Sequence, residues 1–453
     1  MSSDFRNVDV VGQIVSISQE IEGVQTGMSF SFDGHTLRLF SSHGLPSEVF
    51  DSGLKNILLS QKMIVDSIIS GQTFPGFDSI CFHVCGSAAI DGVSIALPVC
   101  YYWSFTSGYS FEDVAMIRFF GSCIDSFYPR GRELIDEDGT LIITNNSEKS
   151  LAGGCAAIDD GSISFFFSSG WEGSPRSSIK FYSFIGALAE NMESSRIEYL
   201  YQAVACALRF CLGRSNADCE LRLYASTEQG RYKYIGHLSH SGVAAGISDE
   251  RDEPWNCFIR AGDIGDNFGI LVQAFLDRKI DRSAFAFSRA DSNLLTNSKI
   301  IELTAYFEKR FGEYFPEGVK HSQKTVSQIY HVIDEFERVK DNLNSDEKRR
   351  VDRCISYIRD DDNLQSRILH AFKSLDPAVC NACVDRLSVD PCDGDLGRNI
   401  QTLRNDIAHG NVPKIALEDV CDEYHFLLRL VRALELLNIG MDVADVASLV
   451  KLI

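Results

Sequence analysis

Four Asp-Gly pairs, at Asp33-Gly34, Asp91-Gly92, Asp138-Gly139 and Asp160-Gly161, punctuate the first 185 residues of this 453-residue chain. A two-residue hairpin turn of type I′ needs positive φ at both central positions, which Asp and Gly tolerate. Asp-Gly between apolar runs is therefore a strong short-range hairpin signal. The flanking runs are strand-like: Met28 to Phe32, Thr36 to Phe40, Ile80 to Cys85, Val93 to Leu97, Leu141 to Thr144 and Ser162 to Phe167. The pattern predicts a mainly-β domain over residues 1–185, a sandwich or barrel, with a helical insert between Leu54 and Ile69.

Near Gly186 the periodicity changes. Ala187 to Leu212 carries apolar residues at helical spacing, Glu220 to Tyr224 and Tyr232 to Ile235 are short strand candidates, a Gly-containing loop spans Ser241 to Asp252, and Asn267 to Asp277 is a second helix. Residues 186–296 thus read as a mixed α/β connecting module. From Asn297 the pattern is helical throughout, with stripes at Ile300, Leu303 and Phe307; at Val326, Ile329, Ile333 and Phe336; at Val351, Ile355 and Ile358; and at Leu364, Ile368 and Phe372. A final helix from Leu417 to Asn438 is closed by Gly440 as C-cap. Residues 297–453 form an all-α bundle, so the fold class is α+β and multidomain.

Length supports two or three domains, each with its own core. A formal net charge of -20 excludes a protein that coats nucleic acid or an anionic membrane by bulk electrostatics, so any RNA contact must be local. No run approaches a membrane span and Met1 to Glu20 lacks a signal-peptide layout, which together predict a cytoplasmic protein without membrane partners. The 14 cysteines are scattered and read mostly as reduced, small, buried hydrophobes.

One segment carries chemistry. In PCDGDLGRNIQTLRNDIAHGNVP, from Pro391 to Pro413, Asp393 or Asp395 can cap a helix, Gly410 follows its end and Pro413 stops it. Ile400, Leu403 and Ile407 give a buried stripe. Gln401, Asn405 and His409 give a polar stripe on another face, with Arg404 beside it. A helix end therefore presents a guanidinium, a carboxamide and an imidazole together. Histidine moves protons near neutral pH, and arginine grips phosphate oxygens with a planar fork, so the set suits proton transfer beside a phosphate. The blander assignment pairs Arg404 with Asp406 or a bundle carboxylate and leaves His409 to satisfy the helix C-terminus.

Arg404-Asn405-Asp406-Ile407-Ala408-His409 resembles the Arg-Asn-x-x-x-His motif of HEPN (higher eukaryotes and prokaryotes nucleotide-binding) ribonucleases, with Gly410 after it and an amphipathic helix ending in Leu436-Leu437-Asn438-Ile439-Gly440. More narrowly, the layout resembles ApeA-type abortive-infection proteins, in which a β-rich region precedes an Apea-like HEPN domain; Phe268-Gly269 through Glu302 to Phe311 is similar to the start of that bundle. The resemblance implies a metal-independent endoribonuclease with Arg404, Asn405 and His409 as catalytic residues, no cofactor, and products bearing a 2′,3′-cyclic phosphate and a 5′-hydroxyl. It further implies a homodimer or higher symmetric oligomer, RNA as substrate with tRNA a candidate, and an anti-phage role in which the N-terminal region senses a phage-derived trigger or restrains the nuclease. Spacing alone is not diagnostic, since Arg38 and His43 repeat it in a strand and loop without an Asn after the Arg. Alternatives are a catalytically silent HEPN scaffold and a lectin-like β domain dimerised by the bundle.

Other groups carry less. Lys348, Arg349, Arg350 and Arg353 form a basic cluster that could guide RNA, although Asp346, Glu347 and Asp352 favour a solvated face. Cys380, Cys383 and Cys392 lack a fourth ligand for zinc, Cys81, His83 and Cys85 read as core, and Asp360 to Asp362 as a capped loop. No Gly-x-Ser-x-Gly elbow or phosphate loop accompanies His237-Leu-Ser-His240, which removes serine hydrolase and nucleotide-dependent chemistry.

Overall fold

A computed structural model describes residues 108–129, 150–158, 161–172, 180–188, 194–214, 219–240, 258–280, 294–319, 323–359, 363–390 and 396–453, together with the strands named below. The protein is mixed α/β, with an antiparallel sheet in the middle of the chain and helices toward the C-terminus. Contacts divide it into two units, Met1–Arg278 and Lys279–Ile453.

The strands of the first unit are β1 (Val10–Gln13), β2 (Met28–Phe32), β3 (Thr36–Ser41), β4 (Met63–Ile68), β5 (Ser79–Val84), β6 (Ala89–Ile90), β7 (Ser94–Phe105), β8 (Met116–Phe120), β9 (Glu133–Ile135), β10 (Leu141–Ile143), β11 (Leu151–Ile158), β12 (Gly161–Glu172), β13 (Lys180–Leu188), β14 (Glu220–Ser226) and β15 (Tyr232–His240). The central order is β7-β15-β14-β8-β13-β12-β11, antiparallel throughout. Three of the Asp-Gly pairs lie between strands that pair antiparallel, β2 with β3, β6 with β7 and β9 with β10, and Gly161 of the fourth is the first residue of β12, which pairs with β11.

Strand β7 changes neighbours along its length. Its first half pairs with β3 and β6, and its second half, from Val99, with β5 and β15. Pro98 sits at the changeover, where a residue without an N–H costs the ladder least.

Two expectations differ here. Met63–Ile68 is a strand paired with β5 over its whole length, so the helical insert does not extend through it; the β-branched Ile64 and Val65 favour the pleat. Residues 51–62 lie outside the described residues. The expected boundary at 185/186 falls inside β13, and β14 and β15, expected in a connecting module, fill the gap between β8 and β7.

Among the described residues this unit also holds helices α1 (Ser122–Phe127), α2 (Ser194–Leu212), α3 (Ala261–Ile264) and α4 (Asn267–Leu276). Phe268 of α4 meets Phe127, Phe165 and Phe167 with ring centroids 5.7, 5.6 and 5.2 Å away, a buried aromatic cluster that fixes α4 on β11 and β12. The approach is close enough to require glycine: a Cβ on Gly269 would lie 2.5 Å from the Cys155 backbone, and Gly154 adopts φ +71° beneath the Asp266 carbonyl. The helix expected from Ala187 starts at Ser194, because Ala187 and Leu188 still belong to β13.

The second unit contains α5 (Asn297–Tyr314), α6 (Gln323–Lys340), α7 (Ser345–Arg359), α8 (Leu364–Lys373), α9 (Pro377–Val384), α10 (Arg398–Ala408), α11 (Cys421–Asn438) and α12 (Val443–Val450). Ile300, Phe307, Ile368 and Ile400 are fully buried, matching the helical stripes, and Leu427 and Leu430 of α11 are buried with them. A polar network runs through the same core. Glu435, with no exposure, accepts from the Tyr306 hydroxyl and pairs with Arg432 Nη1 at 2.7 Å and Arg310 Nε at 3.5 Å. Burial so complete is tolerable only because both carboxylate oxygens are matched. Helices α6 and α7 pack on each other as a hairpin whose buried residues are Ile333 and Ile355.

Among the described residues, no helix is long and apolar enough to cross a membrane.

Candidate nuclease site

Helix α10 carries the motif. Asp393 and Asp395, the expected caps, lie outside the described residues; the N-cap is Gly397 at φ 80°, and the side-chain cap of the first turn comes from another helix. Glu423, in the first turn of α11, accepts from the Ile400 N–H at 3.1 Å and from the Asn399 amide at 2.8 Å. Burial pushes the Glu423 carboxyl above its usual range, and these two donors pull it back.

Ile400, Leu403 and Asp406 are buried along α10, while Arg404 and Asn405 lie half-buried and Ala408, His409 and Gly410 exposed. Asp406 is not Arg404's partner: its Oδ2 accepts from the Lys414 N–H at 3.2 Å and folds the following loop back. The helix ends in a Schellman arrangement, with the Gly410 N–H on the Ile407 carbonyl, the Asn411 N–H on the Asp406 carbonyl, and Gly410 at φ 68°. His409 is the C-cap, and its imidazole has no hydrogen bond or ion pair among the described residues.

Arg404 does pair with a bundle carboxylate. Its Nη2 donates to Glu308 Oε2 of α5 at 3.0 Å, and its Nη1 donates to Asn405 Oδ1 at 3.1 Å. Asn405 therefore orients the guanidinium. Glu308 also faces Arg367 of α8, whose Nη1 lies 3.6 Å from Oε1 and whose guanidinium stands 5.9 Å from the Phe311 ring centroid. Gln401, expected on the polar stripe with Asn405 and His409, instead accepts the Gln365 N–H of α8 at 2.8 Å. The structure thus places Arg404 and Asn405 in contact and sets His409 at the same helix end, about 7.5 Å further along the axis at 1.5 Å per residue. Glu308 and Arg367, missed from the sequence, join them. Each sits beside an aromatic or aliphatic core position, and nothing local ties Glu308 to a residue 96 positions away.

The basic cluster lies on α7. Arg349, Arg350 and Arg353 are exposed and Lys348 is half-buried. The expected acidic counterweights are largely engaged elsewhere: Asp352 pairs with Lys340 at 2.5 Å, Glu347 accepts the Asn344 N–H at 3.0 Å, and Asp346 approaches Arg349 only to 3.9 Å.

The remaining groups read as structure. Cys380 donates to the Phe372 carbonyl, and burial pushes the Cys383 thiol up to about 12, so neither offers a ready thiolate. Cys392, Asp360 to Asp362, and the side chains of Cys81, His83, Cys85 and His240 lie outside the described residues, as does His43. His237 is buried, bonded to Ser104 Oγ at 2.9 Å and the Tyr234 hydroxyl at 2.9 Å; burial first, then Arg222, lowers it to about 4. It is a neutral, internally satisfied core histidine.

No family model, curated protein or solved structure matches this chain.

Proposed function

We propose that this chain is a metal-independent endoribonuclease of the HEPN type, with the α-helical unit as the nuclease and the β-rich unit as sensor or restraint. The observation that carries the reading is the end of α10: an exposed imidazole at His409, without a partner among the described residues, about one and a half turns beyond a guanidinium that Asn405 orients, both off the stripe of Ile400 and Leu403. In the reaction the 2′-oxygen forms a bond to phosphorus as its proton passes to a base. The bond to the 5′-oxygen breaks, and that oxygen takes a proton, leaving a 2′,3′-cyclic phosphate and a 5′-hydroxyl. His409 serves as a proton-transfer group, worth about 10² to 10⁴ in rate, and Arg404 stabilises the phosphorane charge. One imidazole supplies one proton transfer and the reaction needs two, so a two-fold dimer bringing two α10 ends together fits the chemistry. The chain then acts on RNA in the cytoplasm in anti-phage abortive infection, with tRNA a candidate substrate and a phage product as trigger. The exposed arginines of α7 are a secondary RNA contact.

The Glu308–Arg404 ion pair favours a second reading, a silent HEPN scaffold whose arginine is structural. RNA from cells expressing the protein separates the two. Active protein leaves 5′-hydroxyl ends that persist in EDTA, and Arg404→Ala and His409→Ala each lose about 10² to 10³ in rate while melting as wild type. Arg38→Ala and His43→Ala cleave normally. Cleavage by either site variant at the wild-type rate overturns the assignment.

A further inference from the structure

Both oxygens of Glu308 are used on cations from different helices, Oε2 on Arg404 of α10 at 3.0 Å and Oε1 on Arg367 of α8 at 3.6 Å. All three side chains are about one-third exposed, at 27% for Glu308, 30% for Arg367 and 34% for Arg404. A carboxylate bridging two guanidiniums offers the charge and the pair of oxygens that a phosphodiester offers through its two non-bridging oxygens. Two other arginine pairings of this unit differ. Arg310 and Arg432 hold a Glu435 that has no exposure, so no ligand reaches them, and Arg349 meets Asp346 at 80% and 86% exposure, where nothing fixes the geometry. The Glu308 cluster alone among these is both positioned and open. Arg367 stands near the Phe311 ring, and Gln401 and Asn363 hold the first turn of α8 that carries it.

We propose that Arg367 and Arg404 form a phosphodiester clamp occupied by Glu308 as an internal plug, which the RNA backbone displaces. This deepens the nuclease reading and rests on its assignment of Arg404. Partly exposed ion pairs add little net stability, so the plug exchanges readily, yet its tethering gives it a high effective concentration against RNA. Arg367 is then a substrate-binding residue, and Glu308 sets how much RNA is needed to open the site.

The test uses the full chain and a fluorescent 12-nucleotide single-stranded RNA with 2′-O-methyl groups, which binds without being cut. Its dissociation constant is read by anisotropy at several salt concentrations. Arg367→Ala is expected to weaken binding about 10-fold and to reduce the salt slope by about 0.7, the loss of one phosphate contact. Glu308→Gln is expected to tighten binding about 3- to 10-fold, and that gain should vanish in the Arg367→Ala background. Arg367→Lys, which keeps charge without the fork, should fall between and guards against misfolding of the alanine variant. Wild-type affinity in Arg367→Ala, no gain in Glu308→Gln, or no binding by the wild-type chain overturns the clamp. Cleavage of unmodified RNA that depends on His409 while Arg367→Ala binds normally would sink the clamp and leave the nuclease standing. Clamp-dependent binding without cleavage would sink only the nuclease.

Discussion

Gln401 Oε1 accepts the backbone N–H of Gln365 at 2.8 Å, so the helix that carries Arg404 caps the first turn of the helix that carries Arg367. With Asn363 on the Ser366 N–H, two of the four free donors at the start of α8 are satisfied, one from within and one across the packing. Gln401→Ala should cost about 1 kcal/mol, the usual worth of a cap, measured as a lowered melting midpoint. It should also raise the RNA concentration needed for half-maximal cleavage more than it lowers the maximal rate, because it loosens Arg367 relative to Arg404 without touching His409. An effect on maximal rate alone would contradict this role.

A two-fold composite site predicts complementation. Co-expressing Arg404→Ala and His409→Ala chains with different tags and purifying the mixed species should recover more cleavage than either parent, since one cleft then keeps an intact arginine and an intact histidine. A monomer at concentrations where RNA is cut would rule the composite site out.

Acid should weaken the β-rich unit through His237. Its folded value near 4 lies below the ordinary 6.5, so the unfolded chain binds the extra proton between those values and stability falls as pH drops through that window. The loss approaches about 3 kcal/mol by pH 4, at 1.36 kcal/mol per unit. His237→Gln should be less stable at pH 7, because Ser104 and Tyr234 lose their ring partner, and should show a flatter dependence of melting temperature between pH 6.5 and 4.5. An unchanged slope would show that other groups set the acid limit.

Glu435 should be the costliest single position in the helical unit. Glu435→Ala leaves Arg432, Arg310 and the Tyr306 hydroxyl facing a void, and breaking a buried pair costs about 3 to 5 kcal/mol. Thermal melting followed by helical circular dichroism should show a fall well beyond that of Glu308→Gln.

How much of this was written in the sequence depends on range. The Asp-Gly turns and the stripes at Ile300, Ile368 and Ile400 were legible because a turn's φ demands and a helix's period are local. The strand at Met63 was misread as helix because six residues of mixed polarity carry no decisive period, and only pairing with β5 settles them. A boundary at 185 was reasonable from periodicity, yet β14 and β15 return across a long helix to complete the same sheet. At the candidate site, Arg404, Asn405 and His409 announced themselves by the Asn after Arg404, the helix end and the bundle around it, not by the Arg-to-His spacing, which Arg38 and His43 repeat. Their control by Glu308 and Glu423 did not, since a carboxylate reaching from another helix leaves no local mark on α10.

The changeover of β7 at Pro98 sets a schedule for synthesis. Ser104 pairs with His237, 133 residues downstream, and β8 pairs with β14 across a similar span. Until about residue 240 has left the ribosome, β7 and β8 present open edges that other chains can join. Contacts of such range fold slowly, so the first unit is exposed to mispairing for the longest part of its assembly. A truncation at residue 185 freezes that vulnerable stage permanently. Fragments meant to isolate the β-rich unit should therefore run to Arg278, and expression of shorter ones should end in inclusion bodies.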